Sequence, residues 1–257
     1  MSTAERAREN RRYGIMTAGV LITLAALSFT VWWFRPPNPD PETLCPTTRP
    51  ITAHTVVVVD RTDRWNPSTG EALRELIEEA QRETQQYEKF SIVSLDSDLS
   101  TRPIFSVCNP GEPTFLTDLY RGHRYTVRDF EERFVGAAER VVAEVREPAE
   151  ASTSPIVEYV HRWLGRDDFN AEVPNRRLVL ISDMRQNSEA LSVYAGRGED
   201  LAQLVEREFG AAGRGVAFDV YFVPHGRDYN VSESEVRDAW DAAFRQINAS
   251  YEWRQID

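Results

Sequence analysis

The chain has 257 residues, a mass of 29.4 kDa and a formal charge of −11. Its hydrophobic content of 41% is enough for a buried core and too high for a mostly disordered chain. The excess of acidic residues argues against a nucleic-acid partner, because binding to phosphates needs concentrated lysine and arginine.

The first segment with a clear function is an uncharged stretch at residues 14–34. Roughly twenty residues rising about 1.5 Å each span the hydrocarbon core of a bilayer, so we expect a transmembrane helix. A cleavable signal peptide is the alternative, but its apolar region would be shorter and followed by small residues. This segment ends instead in Trp32, Trp33 and Phe34, which are typical of a membrane–water boundary.

The charges flanking this helix predict its orientation. Only Arg35 and Arg49 follow it closely, whereas four arginines precede it: Arg6, Arg8, Arg11 and Arg12. The positive-inside rule therefore places the tail at residues 1–13 in the cytoplasm. The rest of the chain is then extracytoplasmic, and periplasmic if the cell is Gram-negative.

A proline-rich segment at residues 35–51 follows the predicted helix, and we expect an extended stalk there. The chain has two cysteines, Cys45 and Cys108. In an oxidising compartment such a pair predicts a disulfide, which would tie the stalk to the domain. Two unpaired thiols remain the alternative.

Strands and helices alternate over residues 52–257, the predicted extracytoplasmic domain. Ser154 and Pro155 predict an N-cap and first helical residue, the pair Thr126 and Asp129 predicts the start of a long helix, and the loop 108–125 is expected to be irregular. Buried or amphipathic patterns predict strands at 55–60, 90–95, 103–107, 177–182 and 216–223, and helices from 68, 126–146, 154–164, 200–209 and 232–248. This alternation predicts an α/β fold with a doubly wound, mostly parallel sheet and helices on both faces.

Polar side chains follow the predicted strands, where ligands gather in such sheets. The first strand ends in D-R-T-D, which supplies Asp60, Thr62 and Asp63. A later helix begins with S-T-S-P at 152–155, and the strand at 177–182 ends in S-D-M, which supplies Ser182 and Asp183. We expect these three loops to form one cleft.

This pattern resembles the von Willebrand factor A domain over roughly residues 52–250. In that family a D-x-S-x-S motif, a loop threonine and a later aspartate form a metal-ion-dependent adhesion site. The resemblance implies metal ligands at Asp60, Thr62, Thr153 and Asp183, with Ser152 or Ser154 as alternatives to Thr153. It implies Mg²⁺ or Mn²⁺, since hydroxyl and carboxylate oxygens suit hard divalent ions.

One departure from the motif puts the metal in doubt. Arg64 stands where the family has its second hydroxyl, and a guanidinium there would repel the ion or replace it by pairing with Asp60 or Asp183. If no ion binds, the two aspartates are satisfied by loop N–H groups and by Arg64.

Enzyme alternatives are weaker. Asp60 after an apolar strand also suits a hydrolase or phosphotransferase, as nucleophile or metal ligand, but the haloacid-dehalogenase pattern needs a second carboxylate where Thr62 stands. No G-x-S-x-G motif accompanies the four histidines, of which His225 alone follows a strand.

The sequence therefore predicts no catalytic activity. It predicts a membrane-anchored, extracytoplasmic module that binds a membrane or envelope protein, with dependence on a metal left open. A metal-free structural subunit of a membrane complex is the remaining alternative.

Overall fold

A computed structural model describes residues 3–61, 67–95, 99–136, 153–195, 199–224 and 231–256. The first helix, α1 (Thr3–Trp33), precedes the first strand of the domain. Its segment Arg11–Trp33 is long and apolar enough to cross a membrane, and none of it is buried. The predicted span at residues 14–34 overlaps this segment except for Phe34, while its orientation stays a prediction.

The domain is built on one six-stranded sheet of order β3-β2-β1-β4-β5-β6. Only β3 is antiparallel to its neighbour, and the other four pairings are parallel. The strands are β1 (Ala53–Asp60), β2 (Lys89–Leu95), β3 (Phe105–Cys108), β4 (Asn175–Ser182), β5 (Val216–Phe222) and β6 (Ser250–Gln255). The predicted doubly wound, mostly parallel sheet is confirmed.

The sheet separates two apolar cores, and the valines of β1 show why its sequence is apolar throughout. Val56 and Val58 pack into the core on one face, and Val57 and Val59 pack into the core on the other. Side chains alternate along a strand, so a strand covered on both faces needs apolar residues at every position. The helices are α2 (Pro67–Glu83), α3 (Phe115–Arg121), α4 (His123–Val127), a π-helical segment α5 (Arg128–Val135), α6 (Ile156–Leu164), α7 (Glu199–Phe209) and α8 (Glu233–Gln246).

The helices before the gap at 137–152 differ from the prediction. Residues 115–121 form α3, which begins at a capping box between Thr114 and Thr117, so the expected irregular loop was wrong. Thr126 lies inside α4 and its hydroxyl hydrogen-bonds to Asp118 and to the His123 carbonyl, so it caps no helix. The part of the long helix expected beyond Gly136 falls outside the described residues.

The edge strand β6 was not predicted. Its sequence SYEWRQ alternates only weakly, and most of its side chains are exposed. It pairs with β5 from Ala217↔Ser250 to Phe222↔Gln255, which closes the sheet on that side.

The proline-rich segment turns back on the domain. Cys45 is bonded to Cys108 at the end of β3, which confirms the disulfide. The carboxylate of Asp40 accepts hydrogen bonds from the backbone of Glu42 and Thr43, and Leu44 is 1% exposed. Residues 38–47 are therefore folded against the domain and do not form an extended stalk.

Candidate functional site

The sheet topology places the candidate site between β1 and β4. From β1 the chain proceeds to β2 on one side and later returns to β4 on the other, so strand order reverses there. In parallel sheets the crevice at such a point, outside the carboxyl ends of the strands, is the usual ligand site. Asp60 ends β1 and Ser182 ends β4, so both lie at this point of the sheet.

Two hydroxyl groups converge on the carboxylate of Asp60. Ser154 Oγ and Ser182 Oγ each donate a hydrogen bond of 2.8 Å to Asp60 Oδ2. These side chains come from the end of β1, the end of β4 and the segment before α6. We call these three residues the Asp60 cluster; all three are buried, with Asp60 only 6% exposed. The cluster brings together the ends of the three predicted segments. Ser154 was the alternative to Thr153, and Ser182 was named without a ligand role.

Ser154 is held in place by the loop that follows β4. Its N–H donates to the carbonyl of Asn187 and its carbonyl accepts from the N–H of Asn187, each at 2.9 Å. The expected capping role of Ser154 was wrong: the N-cap of α6 is Pro155, and the first turn is satisfied by Gln186 Oε1, which accepts from Val157 N at 2.9 Å. The hydroxyl of Ser154 is thereby available to bind Asp60.

Met184 shapes the start of this loop, which we call the β4 loop (residues 183–192). Its backbone φ is +55°, a left-handed conformation that costs a non-glycine residue about 1–3 kcal/mol. Two contacts compensate: Met184 N donates to Ser182 Oγ at 2.9 Å, and the carbonyl of Met184 accepts from the indole N–H of Trp240 at 2.6 Å. A strained backbone conformation held by buried contacts is typical of a functional loop.

Beyond this turn, Arg185 brings a buried positive charge to Asp183. Arg185 Nε lies 3.4 Å from Asp183 Oδ2, both side chains are 5% exposed, and Arg185 N donates to Asp183 Oδ1 at 2.9 Å. The guanidinium is anchored further by a 2.8 Å bond from Nη1 to the carbonyl of Val231 and lies over the ring of Tyr194. The cleft therefore contains a built-in cation beside one of its aspartates.

A polar network makes the rest of the β4 loop rigid. Gln186 Nε2 donates to Glu158 Oε2 at 2.9 Å, and Ser188 Oγ donates to Glu158 Oε1 at 2.5 Å. Gln186 is fully buried, so the network links the loop to α6 in a low-dielectric environment where hydrogen bonds are stronger. Glu189 and Ala190 follow at the exposed tip.

The structure describes three of the four predicted metal ligands. Asp60 is the last residue of β1 and Asp183 directly follows the neighbouring strand β4, so both lie at the carboxyl ends of adjacent strands. Thr153 is half-buried, and Ser154 beside it donates a hydroxyl hydrogen bond to Asp60. Thr62 lies outside the described residues, as do the other candidates in the neighbouring loops: Asp63, Arg64, Ser152 and His225.

Sequence reasoning named Ser182 at the end of its strand but did not count it among the metal ligands, and it missed Arg185 as a member of the site. Both stand within two residues of Asp183, and that proximity was the available signal. Arg185 follows the left-handed turn at Met184, and no pattern in the sequence predicts that turn.

The donor set can be tested for a divalent ion. Two features oppose one: Asp60 Oδ2 already accepts two hydroxyls, and the buried guanidinium of Arg185 would repel a dication at Asp183. Across the described ranges no group of three His, Cys, Asp or Glu side chains is arranged to hold a metal ion. These features oppose an ion at the described part of the predicted site. Thr62 lies outside the described residues, so Mg²⁺ or Mn²⁺ stays a prediction.

The chain was compared with family models, curated proteins and solved structures, and solved structures gave matches. No family model matches the chain, and no curated protein is similar to it. Among solved structures, an aerotolerance-related membrane protein from Bacteroides fragilis NCTC 9343 is similar with a TM-score of 0.40 and 10% identity, over 80% of this chain and 92% of that one. The pilus adhesin SpaC from Lactobacillus rhamnosus GG, in its open conformation, gives a TM-score of 0.46 and 7% identity, over 83% of this chain but 28% of that one. Similarities at this level do not bear on function.

Proposed function

We propose that the protein is a single-pass membrane protein whose extracytoplasmic, von Willebrand factor A-like domain binds a protein partner through the cleft above β1 and β4. The observation that carries this proposal is the Asp60 cluster, in which three loops meet at the strand-order reversal of a doubly wound sheet. The disulfide between Cys45 and Cys108 supports an oxidising compartment for the domain.

In the proposed mechanism the cleft acts without a metal ion. Arg185 supplies the fixed positive charge that a dication would otherwise provide beside Asp183. The network of Gln186, Ser188 and Glu158 holds the β4 loop in one conformation, so little entropy is lost when a partner binds its tip. The enzyme alternative stays a prediction; burial of Asp60 and its two hydroxyl donors make that carboxylate a poor nucleophile.

Metal independence is tested by thermal unfolding of the purified full chain with millimolar Mg²⁺ or Mn²⁺ and with EDTA. An ion at a hundredfold excess over its dissociation constant stabilises a fold by about 3 kcal/mol, which is easily detected. We expect no change in Tm. A rise in Tm with Mg²⁺ that EDTA reverses would show that the cleft holds an ion.

The same assay tests Arg185. We expect Arg185→Gln to lower the free energy of unfolding by about 3–5 kcal/mol, because Asp183 is then buried without the guanidinium beside it. The matched control is Arg207→Gln, since Arg207 lies on α7 with 65% of its side chain exposed. Equal, small effects of the two substitutions would contradict a structural cation in the cleft.

Partner binding is tested by a photo-crosslinking amino acid at Glu189, on the tip of the β4 loop. The control position is Asn175, which is exposed at the opposite, amino-terminal end of β4. We expect crosslinks in native membranes from position 189 that Arg185→Gln weakens, and none of the same species from position 175. The same crosslinked species from both positions would rule out the cleft as the specific contact.

A further inference from the structure

The surface of α3 differs from the rest of the domain. None of its side chains is buried, and Phe115, Leu116 and Leu119 are 81%, 49% and 62% exposed. Positions 115, 116 and 119 share one helix face, because residues three and four apart are neighbours on a helix. We call these three residues the apolar ridge.

The location of the apolar ridge is as informative as its composition. In the described part of the chain, every exposed large hydrophobic side chain belongs either to α1 with Phe34 or to the segment 115–125. The rest of the described domain surface keeps its large apolar side chains covered. An exposed apolar patch confined to one place indicates a contact surface.

A direct contact joins this segment to the end of the predicted membrane span. The hydroxyl of Tyr120, on α3, donates a hydrogen bond to the backbone carbonyl of Val31. The last four carbonyls of a helix have no partner within it, and Val31 is two residues, or about 3 Å, from the end of α1 at Trp33. Tyr120 thus lies at the depth of Trp32 and Trp33, where tyrosine is enriched in membrane proteins.

The connection between α1 and the domain keeps α3 at this level. Four residues, 34–37, separate α1 from the folded segment that begins at Asn38, and they span at most about 17 Å. That segment is held to the domain by the disulfide and by Arg133 Nη2, which donates to the carbonyls of Pro41 and Glu42. The domain therefore cannot move far from the bilayer.

The charges around the apolar ridge suit an anionic lipid surface. Arg121, Arg124 and Arg128 lie in the segment 113–128 of a chain of net charge −11. Arg121 and Arg128 pair with Asp129, so the exposed Arg124 is the basic side chain that can meet lipid headgroups. Each basic residue near an anionic membrane contributes about 1 kcal/mol. An otherwise acidic domain would be repelled by such a surface, so this segment is the part that tolerates it.

We propose that α3 and the turn after it form a membrane-docking foot: the apolar ridge lies in the lipid interface beside α1, with Arg124 at the headgroups. The occupant of the ridge is the lipid of the same membrane that α1 crosses, and the proposal rests on that proposed span. Docking would hold the domain in one orientation relative to the membrane.

The test uses the full chain in lipid vesicles that contain nitroxide-labelled lipids. An environment-sensitive fluorophore is attached at Leu119→Cys, and the control label is at Gln203→Cys, an exposed position on α7. The native cysteines are joined to each other, so labelling without reductant is selective. We expect quenching at position 119 to be at least twofold stronger than at position 203, and stronger in vesicles with anionic lipid.

Two further measurements keep the proposal distinguishable from the membrane span. Flotation with the vesicles reports insertion of α1: a chain that does not float contradicts the span itself. A chain that floats but shows equal quenching at the two positions overturns the docking foot alone and makes the apolar ridge a site for another protein. Adding Phe115→Glu to the Leu119→Cys chain should reduce quenching to the level of position 203.

Discussion

Lowering the pH from 7 towards 4 should destabilise the domain, because one histidine in it is buried. His54 lies on β1 and is fully buried. Its Nδ1 lies 2.7 Å from the carbonyl of Asp168 and its Nε2 lies 2.8 Å from Ser91 Oγ. Burial, which disfavours the imidazolium, lowers the pKa of His54 from 6.5 to about 4, and the positive charge of Lys89 acts in the same direction.

The sign and size of the effect follow from proton binding. Below pH 6.5 the unfolded chain protonates His54 while the folded chain does not. The free energy of unfolding therefore decreases as the pH is lowered from 6.5 to about 4. The full difference between the two pKa values is worth about 3 kcal/mol. Between pH 7 and pH 5 about 2 kcal/mol of it is lost, which lowers the Tm of a domain this size by about 4–8 °C.

The assay is thermal unfolding of the detergent-solubilised full chain at pH 7, 6 and 5. The His54→Gln variant should have a lower Tm than the wild type at pH 7, and its Tm should change little between pH 7 and pH 5. The matched control is His123→Gln, since His123 is 73% exposed, and it should keep the wild-type slope. A wild-type Tm that moves by less than about 1 °C, or a slope that survives His54→Gln, would refute the reasoning.

Two further predictions concern the disulfide and the β4 loop. The double substitution Cys45→Ala and Cys108→Ala removes a crosslink over 63 residues and should lower the free energy of unfolding by about 2–4 kcal/mol. Tm measured with and without reductant gives the size, and faster cleavage after Glu42 by a glutamate-specific protease shows release of the segment. An unchanged cleavage rate would show that the disulfide does not hold residues 38–47 against the domain. Trp240→Phe removes the indole hydrogen bond to the Met184 carbonyl and should cost about 1–3 kcal/mol with faster amide exchange over residues 183–188, whereas the control Trp253→Phe, on the half-exposed edge strand, should leave that exchange unchanged.

Burial explains which parts of the fold were predictable from sequence. The run TVVVVD of β1 predicts a strand covered on both faces, and its valines do alternate between two cores. The edge strand β6 and helix α3 carry no such signal. SYEWRQ is largely exposed, and the ridge on α3 shows its apolar residues to solvent or lipid and not to the core.

The candidate site was predictable as a place but not as a set of contacts. Asp60 and Asp183 follow strands that turn out to be adjacent, so the residues at the sheet edge could be named. Ser154 was assigned to a helix cap, because the pattern S-P favours one and nothing local shows that Gln186 fills that role from a loop thirty residues away. Long-range hydrogen bonds of this kind are set by the packing of α6 against the β4 loop, which local sequence patterns do not report.

The position of Arg185 changes what the cleft requires. A carboxylate at a strand-order reversal needs a compensating charge, and the von Willebrand factor A resemblance suggested a metal ion for that purpose. Here the loop itself brings a guanidinium to within 3.4 Å of Asp183, and two hydroxyls satisfy Asp60. Breaking a buried pair costs more than the pair contributes, so selection on stability alone keeps both partners once they are present. Under the proposed function, a cleft neutralised in this way would bind its partner without a metal ion, and the exposed tip of the β4 loop would decide its binding specificity.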